Sequence, residues 1–317
     1  MHKRLWLIAL LSFAGVALAL TRAAPIRGEW VPEQVAPGVY VIHGPTELPS
    51  PSNQGFMNNP AFLVTDDGVV VIDPGSSVQV GEMVLARIEQ VTDRPVLAVF
   101  NTHIHGDHWL GNQAIRAKYP AVPIYGHERV APKVRAGAGA EWVQMLLRMT
   151  EQAIAGTEVV GPDHPVNDGD ELAIGGQTYR VMHNDKAHTD TDIMLYVQEK
   201  GVVFLGDNAG HQRILRLEGG SFTGNIEALG QALATGATVF VPGHGPSGGA
   251  EVAERYRDYL DTLYGTVQQG FDDGLADFEI RPLLLPRLEP WQQWAGFDIE
   301  LGRHISGAYL EAERAAF

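Results

Sequence analysis

Short apolar runs divided by turn residues set the rhythm of the chain from residue 38 onwards. Gly38-Val-Tyr-Val-Ile42 and Ala61-Phe-Leu-Val64 read as strands, and Asp66-Asp-Gly68 as a hairpin turn into Val69-Val-Val-Ile72. From about 78 to 91 the period changes: Met83, Leu85, Ile88 and Val91 approximate one apolar face, which predicts a helix. A strand over 95–100 follows. The succession returns further on, because Phe62-Leu-Val-Thr-Asp-Asp-Gly-Val-Val-Val-Ile-Asp73 resembles Leu195-Tyr-Val-Gln-Glu-Lys-Gly-Val-Val-Phe-Leu-Gly-Asp207. Each copy runs on into a helical segment (about 78–91, about 224–234) and then an apolar strand ending in histidine, Val96 to His103 and Val239 to His244. Two facing ββαβ halves are expected, with a site where strand ends from both meet.

Between the halves, the stretch at about 127–163 is too long for an ordinary connection and reads as an insertion. Ala140 to Met149 predicts an amphipathic helix after a Gly137-Ala-Gly139 hinge, the pattern of a lid near a site. Trp142 and Met145 on it are candidates to line a substrate pocket, although that spacing also suits core packing. His127, after a strand over 122–125, and His304 read as structural. Past residue 250 a helix is predicted over 251–269, prolines at 282, 286 and 290 interrupt it, and a final helix runs over 291–316. This 251–317 appendage packs either on the 20–250 domain or against a second copy.

Met1-His-Lys-Arg4, then Leu5 to Leu20 with Ala17-Leu-Ala19, is the pattern of a cleaved signal peptide over residues 1–19, and an apolar run of sixteen is short for a retained membrane anchor. A periplasmic or secreted product, with no stable membrane span after cleavage, is expected. Cleavage removes Lys3 and Arg4 and no acid, taking the formal charge from −15 to −17. So acidic a surface repels phosphate backbones, and no nucleic acid partner is expected. The absence of cysteine excludes a disulfide framework and any thiolate ligand.

The chemistry concentrates in Asn101-Thr-His-Ile-His-Gly-Asp-His108. His103, His105, Asp107 and His108 fall within six positions, and crowding of that kind is costly unless a cation holds the groups together. Neutral imidazole with carboxylate suits zinc, and a tight turn at Gly106 brings Asp107 and His108 back towards the histidines. Further polar groups stand at the edges of apolar runs: His188 before 193–197, Asp207 after 201–206 and His244 after 239–243.

This order of segments, His-x-His-x-Asp-His, a lone His, an Asp and Gly-His-Gly, resembles the metallo-β-lactamase superfamily from about residue 38 to 250. The resemblance implies an α/β fold, a four-layer αβ/βα sandwich. It also implies two zinc ions per chain: His103, His105 and His188 on one, Asp107, His108 and His244 on the other, and Asp207 bridging. Asp73 corresponds to a supporting carboxylate behind the metal loop, or else is a turn residue before Pro74-Gly75. In binuclear relatives a hydroxide shared by the metals attacks a carbonyl, and Asp107 would orient it and carry a proton. A small ester, lactone, thioester or lactam is the expected substrate, with likeness to exported zinc hydrolases of the quinoprotein-relay or sulfur-oxidation type and to glyoxalase II. Alternatives are a class B3-like β-lactamase, although that class lacks a counterpart of Asp207, a mono-iron sulfur dioxygenase, and a non-catalytic zinc accessory protein.

Overall fold

Val69–Ile72 sends alternate side chains into two different cores: Val69 and Val71 pack with helices on one side, while Val70 and Ile72 face a second sheet on the other. The period of two dictates this for a strand covered on both faces. The computed structural model describes residues 22–316, and the expected signal peptide lies outside them. Its elements are β1 (Glu33–Ala36), β2 (Val39–Val41), β3 (Ala61–Val64), β4 (Val69–Ile72), α1 (Val78–Val91), β5 (Val96–Phe100), α2 (Gly106–Trp109), α3 (Asn112–Lys118), β6 (Ile124–His127), α4 (Val130–Arg135), α5 (Ala138–Met149), β7 (His164–Val166), β8 (Glu171–Ile174), β9 (Gln177–Met182), β10 (Met194–Val197), β11 (Val202–Gly210), α6 (Phe222–Ala234), β12 (Val239–His244), α7 (Glu251–Asp272), α8 (Asp277–Leu284) and α9 (Phe297–Ala316). Among the described residues no helix is long and apolar enough to cross a membrane.

Strands β1 to β7 form one sheet in sequence order, and the second runs β12-β11-β10-β9-β8. Leu63, Val70 and Phe100 of the first sheet meet Val181, Leu195 and Phe204 of the second in a shared core. On the outer face of the first sheet, Val84, Ile88 and Ile115 of α1 and α3 cover Val71 and Val99. Outside the second, Leu229, Tyr256 and Leu301 from α6, α7 and α9 cover Val203, Leu205 and Phe240. The result is the four-layer sandwich expected. Each such side chain, moved from water to a dry layer, contributes about 1.5–3 kcal/mol before entropy is counted.

The internal repeat has its counterpart in topology. Strands β3 and β4 pair antiparallel and β4 and β5 parallel, as do β10 with β11 and β11 with β12. Both crossover helices begin on a serine: Ser77 accepts a bond from Val80 N at 3.2 Å, and Ser221 from Gly224 N at 3.1 Å.

Several expectations need correction. The insertion holds two helices, α4 and α5, and its chain then enters β7, which extends the first sheet beside β6. Strands β8 and β9 form a hairpin across Gly175-Gly176 that was not among the expected elements, and β7 is only three residues long. His127 closes β6 instead of following it. Pro282 does not interrupt the tail but sits exposed within α8, where water can take the carbonyl it frees. The tail packs on the second sheet's outer face, and His304, 1 % exposed, belongs to that core.

Candidate metal centre

Five segments deliver the polar residues to one end of the sandwich. The loop after β5 carries His103 and His105, α2 carries Asp107 and His108, the β9–β10 connection His188, β11 Asp207 and the end of β12 His244. Two sets result: His103, His105, His188 and Asp207 offer ligand atoms all within 4.8 Å of one another, and Asp107, His108 and His244 do likewise. All seven predicted ligand residues therefore converge, and only His105 is more than marginally exposed.

The local backbone differs from expectation at two points. The tight turn expected at Gly106 is helical: the residue begins α2, whose single turn swings Asp107 and His108 inward. Glycine is needed there for space, since a Cβ would lie 2.7 Å from Trp142 Cβ. Asp207 stands within β11 rather than at its end. The register shifts around Gly206, which has φ +55°, and this irregularity turns the aspartate to the site. Gly243 on β12 leaves the room: its Cβ would meet Asp207 Oδ1 at 2.0 Å.

Neighbours fix which nitrogen of each imidazole is free. Asp73, at φ +49° after β4, accepts from Thr102 N at 2.8 Å, from Thr102 Oγ1 at 2.7 Å and from His108 Nδ1 at 2.8 Å. Because the Thr102 hydroxyl is spent on Asp73, it accepts from His103 Nδ1 at 3.0 Å. The Met57 carbonyl likewise takes the proton of His244 Nδ1 at 2.7 Å. His103, His108 and His244 thus all turn a bare Nε2 inward. His108 Nε2 and His244 Nε2 lie 3.4 Å apart, and His188 Nε2 is 3.1 Å from His105 Nδ1. The two bare Nε2 atoms of His108 and His244, so close together, need positive charge between them.

Asp207 serves both sets. Its Oδ1 lies 3.1 Å from His108 Nε2 and 3.3 Å from His244 Nε2, and its Oδ2 lies 3.5 Å from His188 Nε2 and 3.8 Å from His103 Nε2. Asp107 Oδ2 is 3.3 Å from His244 Nε2 and 3.5 Å from His108 Nε2. Burial holds His103 well below the usual imidazole range and His188 at about 3, so both stay neutral. Burial works the other way on Asp107 but is outweighed by His108 and His244, leaving it at about 2 and ionised. Although burial opposes charge on His108, the carboxylates of Asp207, Asp107 and Asp73 raise its pKa well above the usual value. The second set calls for a cation at Nε2. Buried His103 Nε2 and Asp207 Oδ1 have no hydrogen-bond partner, as atoms reserved for a metal would not.

Residues 54–244 match the family described as the metallo-beta-lactamase superfamily. The chain belongs to that superfamily. A hydroxyacylglutathione hydrolase of Yersinia enterocolitica is 29% identical over 181 residues, covering 56% of this chain and 58% of that relative. The chain thus spans just over half the length of this curated relative. A metallo-beta-lactamase from Pontibacter korlensis superposes with a TM-score of 0.55 at 22% identity over 73% of this chain and 98% of that one. A stereoselective inverting sec-alkylsulfatase from Pseudomonas sp. does so at 0.67 and 16% over 88% and 50%. At such identities the structural likeness establishes the fold.

Supports of this candidate metal centre that sequence reasoning missed lie in the loop before β3. Asn58 Nδ2 donates to Asp73 O at 3.0 Å, and Asn59 Nδ2 donates to Pro242 O at 2.9 Å and Gly245 O at 2.7 Å, on either side of His244. Thr191 Oγ1 accepts from Ile104 N at 3.1 Å, tying the His188 loop to the first metal loop. The one available signal was Asn58-Asn59 beside an apolar strand. Trp142 packs against His105 at 5.1 Å between ring centroids, and both Trp142 and Met145 pack on the small core of Trp109, Leu110, Leu146 and Ile154.

Proposed function

We propose that this chain is an exported hydrolase that works with two zinc ions on the carbonyl of a small ester, lactone, thioester or lactam. The observation that carries the reading is Asp207, whose two oxygens face the two ligand sets separately. His103, His105 and His188 would hold one ion, Asp107, His108 and His244 the other, and Asp207 both; nitrogen and oxygen donors without sulfur fit zinc. When bound, such a pair supplies positive charge that polarises a carbonyl and makes water acidic enough to attack at neutral pH.

The chain's own residues supply the rest. Asp107, ionised and 3 % exposed, is the base that orients the attacking water and takes its proton for delivery to the leaving group. Asp73 holds His108 and, through Thr102, His103 with their ligand nitrogens inward. Trp142 closes the side beside His105. A class B3-like lactamase is the second reading, and Asp207 counts against it. The complete second set counts against a mono-iron dioxygenase.

Metal analysis and the Asp207→Ala variant test the proposal. Two zinc per chain and turnover of an aryl ester, a lactone, a thioester or nitrocefin are expected; one iron favours the dioxygenase, and full zinc without turnover an accessory protein. In Asp207→Ala a chelator should strip one metal readily and leave the other on three histidines, with activity falling alongside the first. Both metals staying as tightly bound as in the parent would remove Asp207 from the ligand set.

A further inference from the structure

His188 is held differently from the ligands around it. His103, His108 and His244 each give Nδ1 to a fixed acceptor, whereas among the described residues the one hydrogen-bond contact of the His188 ring is its Nε2 with His105 Nδ1 at 3.1 Å. The aim of its ring is therefore left to its backbone. Residues 183–193, between β9 and β10, carry neither helix nor strand, and a loop that must bring one nitrogen to an ion loses affinity unless its order is imposed beforehand.

The order is imposed from the insertion. Arg129, between β6 and α4, donates from Nη1 to Asp185 O at 3.2 Å and to Asp190 O at 3.2 Å, and from Nη2 to Asp185 Oδ1 at 2.5 Å. Those two carbonyls stand on either side of His188. Lys133 of α4 donates to both carboxylate oxygens of Asp190, at 2.7 and 2.8 Å. At the base of the loop the rings of His127 and His183 stack at 3.9 Å between centroids, and His183 Nδ1 donates to Asp192 O at 2.6 Å. Behind its tip Ser221 N donates to Ala187 O at 2.8 Å, and Gly220 makes the room, since a Cβ there would meet Ala187 O at 2.4 Å and His188 O at 2.5 Å. The start of α6 thus backs the loop, and Arg129, its side chain 40% exposed, straps it on the solvent side.

We propose that Arg129 is a positioning residue for the first metal site: by bridging the carbonyls of Asp185 and Asp190 it fixes the span from which His188 reaches the ion. The inference rests on the two-metal reading and names the side chain on which one of the two sites depends. One Nη nitrogen serving two carbonyls while the other meets a carboxylate needs the rigid fork of a guanidinium, a geometry that a compact ammonium on a flexible stem does not hold. The charge pair with Asp185, whose side chain is 84% exposed, counts for little beside the carbonyl bonds. Trp142 of the same insertion lies against His105, so the insertion reaches the first site through two of its ligands.

The test titrates zinc into the metal-free protein against a chromophoric chelator. The parent should fill two sites, and Arg129→Gln should weaken one of them about tenfold and leave the other within about twofold, with the circular dichroism spectrum unchanged. In a His188→Ala background, where the first site has already lost this ligand, the same substitution should change nothing further. Arg129→Lys should resemble Arg129→Gln, and Asp185→Ala the parent. Two unchanged affinities in Arg129→Gln overturn the proposal. So do equal losses at both sites or loss of the fold, which mark a structural residue, and so does full rescue by Arg129→Lys, which reduces the contact to charge. If the parent does not take up two zinc ions, the two-metal reading fails separately, and hydrogen exchange in the metal-free protein decides Arg129: faster exchange confined to residues 184–191 in Arg129→Gln supports the strap, and unchanged exchange removes it.

Discussion

The carboxylate of Asp73 accepts a hydrogen bond from His108 Nδ1 at 2.8 Å, and this single contact decides which nitrogen His108 turns towards Asp107, Asp207 and His244. Asp73 can do so because it sits at φ +49° on the turn out of β4, where Asn and Asp are among the few side chains at ease.

Asp73→Asn keeps the backbone and removes the charge. Its amide has one oxygen where the carboxylate had two, so facing Thr102 N it must present NH2 to His108, which then loses its reason to protonate Nδ1. The second metal should bind about 10–100-fold more weakly, with the fold retained, as read by competition with a chelator and circular dichroism. Unchanged metal affinity would reduce Asp73 to a turn residue.

Trp142 touches His105 with its ring but makes no part of either ligand set. Trp142→Ala should raise KM several-fold and leave zinc content at the parent's level, since the side chain is only half-buried on α5. Loss of zinc in this variant would show that the ring holds His105 in place instead of bordering substrate.

His304 gives the appendage an acid-sensitive core. Tyr259 Oη lies 2.9 Å from its Nδ1, its Nε2 is buried without a partner, and burial lowers its pKa to about 4. Between that value and the ordinary 6.5 the unfolded chain carries the proton and the folded chain does not. Stability present above pH 6.5 is therefore lost as pH falls towards 4, by an amount on the order of 3 kcal/mol. His304→Gln keeps an acceptor for Tyr259 and removes the titration. Urea unfolding at several pH values should show a flatter acid slope in the variant; parallel slopes would mean that His304 is charged in the native state.

The sequence by itself carried the doubled ββαβ plan, because periods of two and 3.6 are local properties of the residues, while the four-layer sandwich followed from the family resemblance. It also singled out His103, His105, Asp107 and His108, because ligand types so dense in one loop have few other physical uses, whereas the family resemblance added His188, Asp207 and His244 to them. Strand β7, three residues containing a proline, left little to read, whereas β8 and β9 were legible in principle, since Leu172 and Ile174, then Tyr179 and Val181, alternate on either side of Gly175-Gly176. The tertiary structure alone decided how the ligands are presented. His244 takes its tautomer from the carbonyl of Met57, a group every residue possesses, and its flanks from Asn59, far away in sequence. Main-chain groups leave no trace in composition or spacing, so the presentation of the ligands had to wait for the fold.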